Sequence, residues 1–444
     1  MSIYAPLIGF FINYIEKNPE RNMLKMADFL EKIAVMPNHK EDIRSAKRVL
    51  EDKDSNWHRL ILRGLKDVDK NVLKSMADNF LIKATLKGIP KQQRLAKRYD
   101  INIPWAILID PTEACNLRCT GCWAGDYELH NLSFEVMDRV CREAEKLGIY
   151  FIVVSGGEPL IRKKELLELA KRHKNQIFHV FTNGTLIDEE FLAEVKKVKN
   201  MVFAISIEGF KEATDSRRGE GVFDRIMNAM DLCRKYGIVF GFSATYTRNN
   251  TEEVGSDEFV DLMIEKGCYF GWYFTYIPVG KDVDFELMAT PEQRRFMYNQ
   301  VNKFRNTKDI FVVDFWNDGE FSGGCIAGGR RYIHINAKGD VEPCAFIHYA
   351  NVNIKEVSLL DALKSPIMKA YKKRQPFNNN MLMPCPLIDN PDKLLEIVNE
   401  SNAYNTQVND DSDIRRNYEK LKNVSEKWRE LANYIWERKN TYKM

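Results

Sequence analysis

The chain has 444 residues, of which 44% are hydrophobic and 29% are charged. This length and composition indicate a soluble globular protein with room for two or three domains. The net charge of +3 excludes no class of partner, but the sequence has no long unbroken apolar run, which argues against a membrane-spanning protein.

The apolar start of the chain, IYAPLIGFFINYI, resembles the hydrophobic part of a signal peptide. It has no positive residue before it and no small-residue cleavage site after it, so we interpret it as a different kind of segment. Nine cysteines without an export signal indicate a reducing compartment, in which thiols bind metals or pack in the core. We therefore expect a cytoplasmic protein with no signal peptide and no transmembrane helix.

Residues 1–100 are predicted to be helical and are the basic part of the chain, with 20 Lys and Arg against 13 Asp and Glu. Apolar residues recur at helical spacing in NMLKMADFLEKIAVM, and further helices are predicted at about 42–50 and 69–86. A basic run at 83–98 is typical of a solvated face, and the alternative is a surface for anionic lipid. Its members are Lys83, Lys87, Lys91, Arg94, Lys97 and Arg98.

From residue 103 onward, apolar strand-like runs alternate with amphipathic helical stretches. Strands that lack a polar face and are separated by helices indicate a parallel sheet with helices outside. Six such units are too few for a complete eight-fold barrel, so we expect an open or partial barrel with its chemistry at the carboxyl ends of the strands. The predicted strands are IPWAILI, IYFIVVS, IFHVFT, MVFAISI, IVFGFSATY and YFGWYFTYI.

Three cysteines with the spacing C-x3-C-x2-C, Cys115, Cys119 and Cys122, follow the first predicted strand. Three thiolates on one tight loop suit three corners of an iron–sulfur cube and leave the fourth iron open. Structural zinc, which normally takes four ligands in two separated pairs, is one alternative. Buried structural cysteines are the other, although the Asn, Arg, Thr and Gly residues of this stretch do not form an apolar face.

Polar groups also follow the next strands, and together they predict a small-molecule site beside the cysteine loop. Paired glycines let backbone approach a ligand closely, and the carboxylate after them can accept hydrogen bonds from an ammonium group. Taken singly, each group is equally typical of a turn. The residues are Gly156, Gly157 and Glu158 after the second strand, Thr182 and Asn183 after the third, Ser206 and Glu208 at the fourth, and Arg218 in the loop beyond.

This combination, over roughly residues 103–280, resembles the radical S-adenosylmethionine (SAM) superfamily. The resemblance implies a partial (β/α)6 barrel with a [4Fe–4S] cluster on Cys115, Cys119 and Cys122, whose open iron binds the amino and carboxylate groups of SAM. It also implies that Gly156–Glu158 contact the SAM amino group. Ser206 and Glu208 are then expected to face the ribose and Arg218 to pair with the carboxylate. One departure is Gly121, where the family commonly has an aromatic residue.

The chemistry implied by that resemblance is reductive cleavage of SAM to a radical that abstracts hydrogen from a substrate carbon. A reducing partner such as flavodoxin or ferredoxin is then expected. The reaction class, oxidation or formation of a C–C or C–S bond, stays open, and no catalytic acid or base is assigned.

A second cysteine set lies downstream at Cys325, Cys344 and Cys385. Core cysteines are one interpretation, but C…G-x4-C…C after a barrel resembles the SPASM and twitch extensions that hold auxiliary [4Fe–4S] clusters. The full SPASM pattern has seven cysteines, so we expect a shortened, twitch-like domain with one auxiliary cluster. Its fourth ligand is left open among His348, Asp389, a remote cysteine and the substrate.

The remaining elements complete the predicted organisation. RRYIHINAKGDVEPC is typical of a hairpin that turns at Asn336–Gly339, and charged helices follow from about Lys393 and over 414–439. Three further cysteines fall in helix or strand patterns and are predicted to be core: Cys141, Cys233 and Cys268. The predicted domains are an N-terminal helical segment at 1–100, the core barrel at 101–310, the twitch-like domain at 311–390 and C-terminal helices at 391–444.

Peptide or protein side chains are the first predicted substrate class, because enzymes with these extensions often modify peptides. The alternative is a membrane lipid chain, since the apolar start and the 83–98 run offer a peripheral membrane contact. A small metabolite ranks third, and no nucleic acid is expected. A non-enzymatic alternative is an iron–sulfur electron-transfer or sensor protein. It would keep both cysteine sets but would not need the GGEP motif at residues 156–159, Ser206 or Glu208.

Overall fold

The computed structural model describes residues 14, 17–33, 37–124, 129–280, 282–407 and 413–441. Its centre is a nine-stranded sheet in the order β7-β6-β5-β4-β3-β2-β1-β8-β9. Strands β1 to β7 each pair in parallel with the next. The strands are β1 Ala106–Ile109, β2 Phe151–Val154, β3 Ile177–Thr182, β4 Met201–Ser206, β5 Phe240–Tyr246, β6 Phe270–Thr275, β7 Phe311–Asp314, β8 Tyr332–Ile335 and β9 Val341–Glu342.

The α/β class and the parallel sheet are confirmed, and all six predicted strands are present. The sequence prediction missed β7, whose four residues pair with β6 in the register Gly271↔Val312. A run of four is too short to separate from its surroundings by periodicity alone. The parallel array therefore continues one strand beyond the six predicted.

Helices cover the sheet and connect its strands. In helix α6, Ser133 caps the amino end by accepting a hydrogen bond from Val136 N, and Gly148 ends the helix with φ 83°. A π-helix, Asp78–Gly88, joins α4 to α5. The N-terminal helices are α1 Pro19–Ile33, α2 Pro37–Glu51, α3 Asn56–Asp67, α4 Lys70–Ala77 and α5 Ile89–Tyr99. Those of the barrel are α6 Phe134–Leu147, α7 Lys163–Arg172, α8 Glu189–Val198, α9 Lys211–Arg218, α10 Val222–Tyr236, α11 Thr251–Val254, α12 Asp257–Lys266 and α13 Pro291–Thr307. Those after β7 are α14 Gly319–Ser322, α15 Leu359–Ala362, α16 Pro366–Arg374, α17 Pro391–Ser401 and α18 Ile414–Thr441.

The predicted hairpin is confirmed as β8 and β9, which pair antiparallel with Ile335 opposite Val341. Gly339 has φ 99° in its turn, a backbone conformation that glycine adopts without strain. The sequence did not reveal that β8 also pairs in parallel with β1, Ile107 opposite Ile333. The sheet therefore continues across residue 310, and a short ribbon of β10 Tyr349–Ala350 and β11 Tyr404–Asn405 follows it.

The N-terminal helices lie against the amino ends of the barrel strands. Side-chain nitrogens of Arg63, Asn79 and Gln92 donate to the carbonyl oxygens of Cys268, Lys174 and Gly148, at 2.6, 3.0 and 2.7 Å. These carbonyls precede β6, β3 and β2, so the helices cover the end of the barrel opposite to its carboxyl edge.

Within the basic run, Lys83 is buried and pairs with Asp78 at 2.7 Å, whereas Arg94, Lys97 and Arg98 are exposed. The apolar start of the chain lies outside the described residues, apart from Tyr14. None of the helices in the described ranges is long and apolar enough to span a bilayer.

The three cysteines predicted to be core residues are fully buried in the hydrophobic core: Cys141, Cys233 and Cys268. That prediction is confirmed. The other six cysteines form two groups: Cys115, Cys119 and Cys122 follow the carboxyl end of β1, and Cys325, Cys344 and Cys385 line a cavity together with Tyr332 of β8.

Candidate active site

The first group, Cys115, Cys119 and Cys122, lies on the loop that leaves the carboxyl end of β1. The three thiols are partly buried. Burial, with smaller contributions from Glu158 and from the thiols of Cys119 and Cys122, raises the pKa of Cys115 to about 11. Burial raises the pKa of Cys119 in the same way. Thiols held this close in a low-dielectric site need a positive charge to ionise, and bound iron supplies one.

The two glycines after β2 allow this loop to pack directly on the chain that leads to Cys115. A Cβ on Gly156, which has φ 113°, would lie 2.5 Å from Thr112 O, and one on Gly157 would lie 2.3 Å from Ala114 O. Gly157 N instead donates to Thr112 O at 2.9 Å. The glycines thus allow the backbone after β2 to lie directly against the backbone of residues 112–114.

Glu158 joins the ends of β2 and β3. Its carboxylate is buried and accepts hydrogen bonds from Thr182 Oγ1 at 2.7 Å and from Asn183 N at 2.8 Å. Burial raises the pKa of Glu158, and these hydrogen bonds oppose the shift because they favour the ionised form. Asn183 Nδ2 also donates to Asn116 Oδ1 at 2.9 Å, directly after Cys115. The structure therefore brings these predicted site residues together with the cysteine loop.

Glu208 and Arg218 face each other next to the same loop. The Glu208 carboxylate is fully buried and accepts from Arg218 Nε at 3.0 Å and from Thr245 N at 3.1 Å. Burial alone would lower the pKa of Arg218, but Glu208 and the thiol of Cys119 raise it above its usual value. Arg218 Nη1 lies 3.8 Å from Cys119 Sγ, so this guanidinium links the carboxylate to the cysteine loop.

Arg217 is a residue of this site that sequence reasoning did not assign. Its Nε donates to Thr120 O at 3.1 Å, and Thr120 N donates to Arg217 O at 3.0 Å. Its guanidinium also pairs with Glu208 at 2.5 Å. The only sign of this role in the sequence is that Arg217 directly precedes the predicted site residue Arg218. Ser206, the last residue of β4, is partly buried and lies opposite Ser243 of β5.

Tyr276 was also missed. It follows β6 and is buried, and a Cβ on Gly121 would lie 2.7 Å from its ring. Gly121 has φ 65°, which a bulky side chain adopts only with strain. The ring of Tyr276, from the end of β6, therefore lies against position 121, where the family commonly has an aromatic side chain. No local sequence pattern predicts this contact.

The second group, Cys325, Cys344 and Cys385, lines one cavity. The hydroxyl of Tyr332 donates to Cys344 Sγ at 2.6 Å. Burial raises the pKa of Cys344 to about 12 and that of Cys385 to about 11. Three thiols on separate segments thus line one cavity, as a protein-held cluster requires.

The candidates for a fourth ligand are placed as follows. Asp389 is fully buried, pairs with Arg294 at 2.6 Å and accepts from Cys385 N at 3.0 Å. His348 Nε2 lies 3.2 Å from Ala345 O. The cysteines of the hydrophobic core lie outside the set that lines the cavity. Asp389 and His348 are therefore already engaged by other protein groups.

Neither cysteine group has the geometry of a single-ion site. In the part of the chain that the structure describes, no three His, Cys, Asp or Glu side chains converge closely enough to hold one metal ion. Zinc needs ligands at 2.0 to about 2.3 Å from one point, whereas the irons of a cube lie at its corners and hold their ligands farther apart. Three thiols are the donors by which proteins hold iron–sulfur clusters, so the chemistry of each set suits a cluster.

Aromatic side chains lie between the two groups. Trp123, which follows Cys122, has its ring 5.6 Å from that of Phe346, and Phe346 lies 4.9 Å from Trp316. Phe346 and Trp316 line the cavity of the second group. A continuous set of rings therefore runs from the cysteine loop to the cavity of the second group.

Gly157→Ala is expected to disrupt the first cysteine group, because its Cβ would enter the backbone of Glu113 and Ala114 at 2.3 Å. We expect loss of the iron bound by that group and a lower Tm, measured by iron analysis and thermal unfolding. Gly64→Ala is the matched control, since its Cβ would meet only a Tyr269 carbon at 3.7 Å. Normal iron content in Gly157→Ala would contradict the assigned role of this glycine.

Comparison with known families identifies the barrel. Residues 109–257 match the radical SAM superfamily. The chain carries a radical SAM domain. This family uses a [4Fe–4S] cluster and SAM, as the resemblance of the motifs implied, and the cysteine loop lies at the start of the matched region.

Curated relatives match this chain over part of their length. Fe-coproporphyrin III synthase of Methanosarcina barkeri is 32% identical over 41% of this chain, which spans about half (47%) of that relative. Mycofactocin maturase MftC of Mycolicibacterium smegmatis is 28% identical over 57% of this chain and 68% of its own. PqqA peptide cyclase of Granulibacter bethesdensis is 25% identical over 61% and 77%.

Solved structures share the fold. Streptococcus suis SuiB bound to S-adenosylmethionine superposes with a TM-score of 0.55 at 18% identity, over 68% of this chain and 76% of SuiB. SuiB bound to its precursor peptide SuiA gives the same TM-score at 19% identity. At these identities the likeness concerns the fold, and it extends beyond the residues that match the radical SAM family.

Proposed function

We propose that this chain is a radical SAM enzyme that modifies a peptide or protein side chain, with a SAM-binding cluster on Cys115, Cys119 and Cys122. The observation that carries the proposal is the junction of this cysteine loop with the polar strand ends. Asn183, Arg217 and Arg218 contact the loop residues Asn116, Thr120 and Cys119. Among the relatives, PqqA peptide cyclase acts on a peptide by its name, which supports this substrate class.

The protein's own groups orient and enclose the cofactors. When bound, the cluster and SAM supply the one-electron chemistry that generates a carbon radical. Gly157 N and Glu158 N hold the loop chain at Thr112 O and Ala114 O, at 2.9 and 2.8 Å. Arg218 places a positive charge 3.8 Å from Cys119 Sγ, where it stabilises the thiolate. We assign Gly156–Glu158, Thr182, Asn183, Ser206 and Glu208 to the SAM pocket.

A reducing protein such as flavodoxin or ferredoxin completes the proposal, because the cluster needs an electron from outside. A cytoplasmic location fits the nine free cysteines of the chain.

A lipid substrate is the second candidate. Phe80, Leu81 and Leu86 are 43%, 54% and 56% exposed next to the exposed Lys87, as a peripheral membrane contact would require. These residues belong to the π-helix segment at the amino end of the barrel, opposite to the cysteine loop. A membrane on that face would be remote from the cysteine loop, so the geometry favours the peptide.

The substrate class is tested by comparing extracts of cells with the gene, without it and with Cys119→Ala in its place. We expect a peptide whose mass changes only in cells with the intact gene, measured by mass spectrometry. A change confined to lipids or to tetrapyrroles, and absent from peptides, would overturn the peptide assignment. The Cys119→Ala arm separates loss of chemistry from loss of the protein.

The proposed auxiliary cluster predicts a definite iron content. Anaerobically reconstituted protein is expected to hold about eight irons, because each cube contains four. The triple variant Cys325→Ala, Cys344→Ala and Cys385→Ala is expected to hold about four irons, since its cavity loses all three thiols. An unchanged iron content would show that these cysteines are structural.

A further inference from the structure

Tyr371, in α16, has a buried hydroxyl without a partner. The side chain is fully buried, and its oxygen finds no hydrogen-bond partner among the described residues. Such a donor is costly to bury, because it loses its bonds to water and gains nothing in return. A native structure that keeps one at a fixed position requires an explanation.

The ring of Tyr371 is held in place on two sides. A Cβ on Gly328, which has φ 63°, would lie 2.5 Å from Tyr371 Cβ, so this glycine packs directly against the tyrosine. Phe377 meets the tyrosine edge-on, with ring centroids 5.5 Å apart at 86°. The hydroxyl therefore cannot turn to another partner without moving the backbone around it.

Tyr371 lines the same cavity as Cys325, Cys344 and Cys385. Other polar groups of this cavity have partners: the Tyr332 hydroxyl donates to Cys344 Sγ, and Ser322 Oγ donates to Gly324 O at 2.7 Å. Burial, followed by the three nearby thiols, raises the pKa of Tyr371 well above its usual value. The hydroxyl is therefore neutral and can donate, and it lies in the field of the three thiols.

We propose that the Tyr371 hydroxyl donates a hydrogen bond to a sulfur of the auxiliary cluster and so sets the reduction potential of that cluster. The inference rests on the proposed auxiliary cluster. Hydrogen bonds to cluster sulfurs stabilise the reduced, more negative state and raise the potential. Tyr371 is a positioning and tuning residue in this view, and the cluster supplies the acceptor that the described residues do not provide.

Tyr371→Phe tests the proposal in the full-length chain that also carries Cys115→Ala, Cys119→Ala and Cys122→Ala, so that only the auxiliary cluster is observed. We expect unchanged iron, about four per chain. At a fixed potential we expect a roughly tenfold lower ratio of reduced to oxidised cluster, measured by EPR during redox titration, which for one electron is about 59 mV.

Tyr349→Phe is the control, because its hydroxyl accepts from Ile414 N at 3.1 Å and is not among the cavity's lining residues. It is expected to leave the potential unchanged. An unaltered potential in Tyr371→Phe overturns the donor role, and loss of iron in Tyr371→Phe overturns it in favour of a direct iron ligand. If the parent variant binds no iron at all, the auxiliary cluster itself is refuted, so the two failures are distinguishable.

A second readout needs no cluster. In the iron-free chain the phenylalanine variant is expected to have a higher Tm than the parent, because it removes a buried donor without a partner. A lower Tm would show that the hydroxyl has a partner within the protein and would contradict the proposal.

Discussion

Replacing Cys119 with alanine is expected to abolish SAM cleavage by the reconstituted protein. The loop then offers two thiolates where the cluster needs three, and Arg218 Nη1 loses the sulfur that lies 3.8 Å away. The measurement is release of 5′-deoxyadenosine under anaerobic conditions with SAM and a strong reductant. Iron content is expected to fall from about eight to about four per chain, since the auxiliary cluster remains.

Cys141→Ala is the matched control for this experiment. Cys141 is fully buried in α6, within the hydrophobic core, and has no place in either cysteine group. The control is expected to lose some stability but to keep its iron and its activity. If Cys119→Ala still releases 5′-deoxyadenosine at the rate of the intact protein, the cluster assignment and the enzymatic proposal both fail.

Replacing His334 with glutamine is expected to destabilise the fold strongly. His334 is buried between Asp110, 2.8 Å from Nε2, and Glu342, 2.6 Å from Nδ1. Burial alone would lower its pKa, but the two carboxylates outweigh this effect and raise the pKa of His334 to about 10. The glutamine leaves two buried carboxylates without a positive charge, which costs about 3–5 kcal/mol.

The pH dependence of this effect has a definite sign. The folded pKa of His334 lies above the unfolded value of about 6.5, so the stabilisation is complete below pH 6.5 and is lost as the pH rises towards 10. The Tm difference between the intact protein and His334→Gln should therefore be largest near pH 6 and shrink towards pH 10. The cluster-free protein is used, because metal loss would otherwise obscure unfolding.

His179→Gln is the control for the charge effect. His179 is also buried, but burial without a carboxylate partner lowers its pKa to about 3. Above about pH 7.5 it is uncharged in both the folded and the unfolded state, so its replacement should cost the same from there to pH 10. If the Tm difference between the intact protein and His334→Gln is also independent of pH, the ion-pair explanation is contradicted.

The sequence predicted most of what is local. Each long strand has its own apolar pattern. The C-x3-C-x2-C and GGEP motifs are recognisable from the order and spacing of their residues. Contacts between distant segments were not predictable in this way. The pairing of β8 with β1 joins residues that are 226 positions apart at Ile107 and Ile333, and nothing near either residue indicates the other.

The site shows the same division. Cys115 and Glu158 were found because the motifs contain them, whereas Tyr276 and Tyr371 were missed because their roles arise from packing alone. Periodicity marks a side chain as buried, but it does not indicate which buried oxygen lacks a partner. Glu158 illustrates the limit, since the motif suggested an acceptor for an ammonium group but did not indicate that its carboxylate accepts hydrogen bonds from Thr182 and Asn183.

The pairing of β1 with β8 has a consequence for the spacing of the two cysteine groups. The loop with Cys115 leaves the end of β1, and Cys344 follows β9, which is hydrogen-bonded to β8. The spacing of the two cysteine groups is therefore fixed by the ladder of one sheet and not by a hinge or a tether. With clusters in both groups, as proposed, the distance between them is expected to be the same with and without bound substrate.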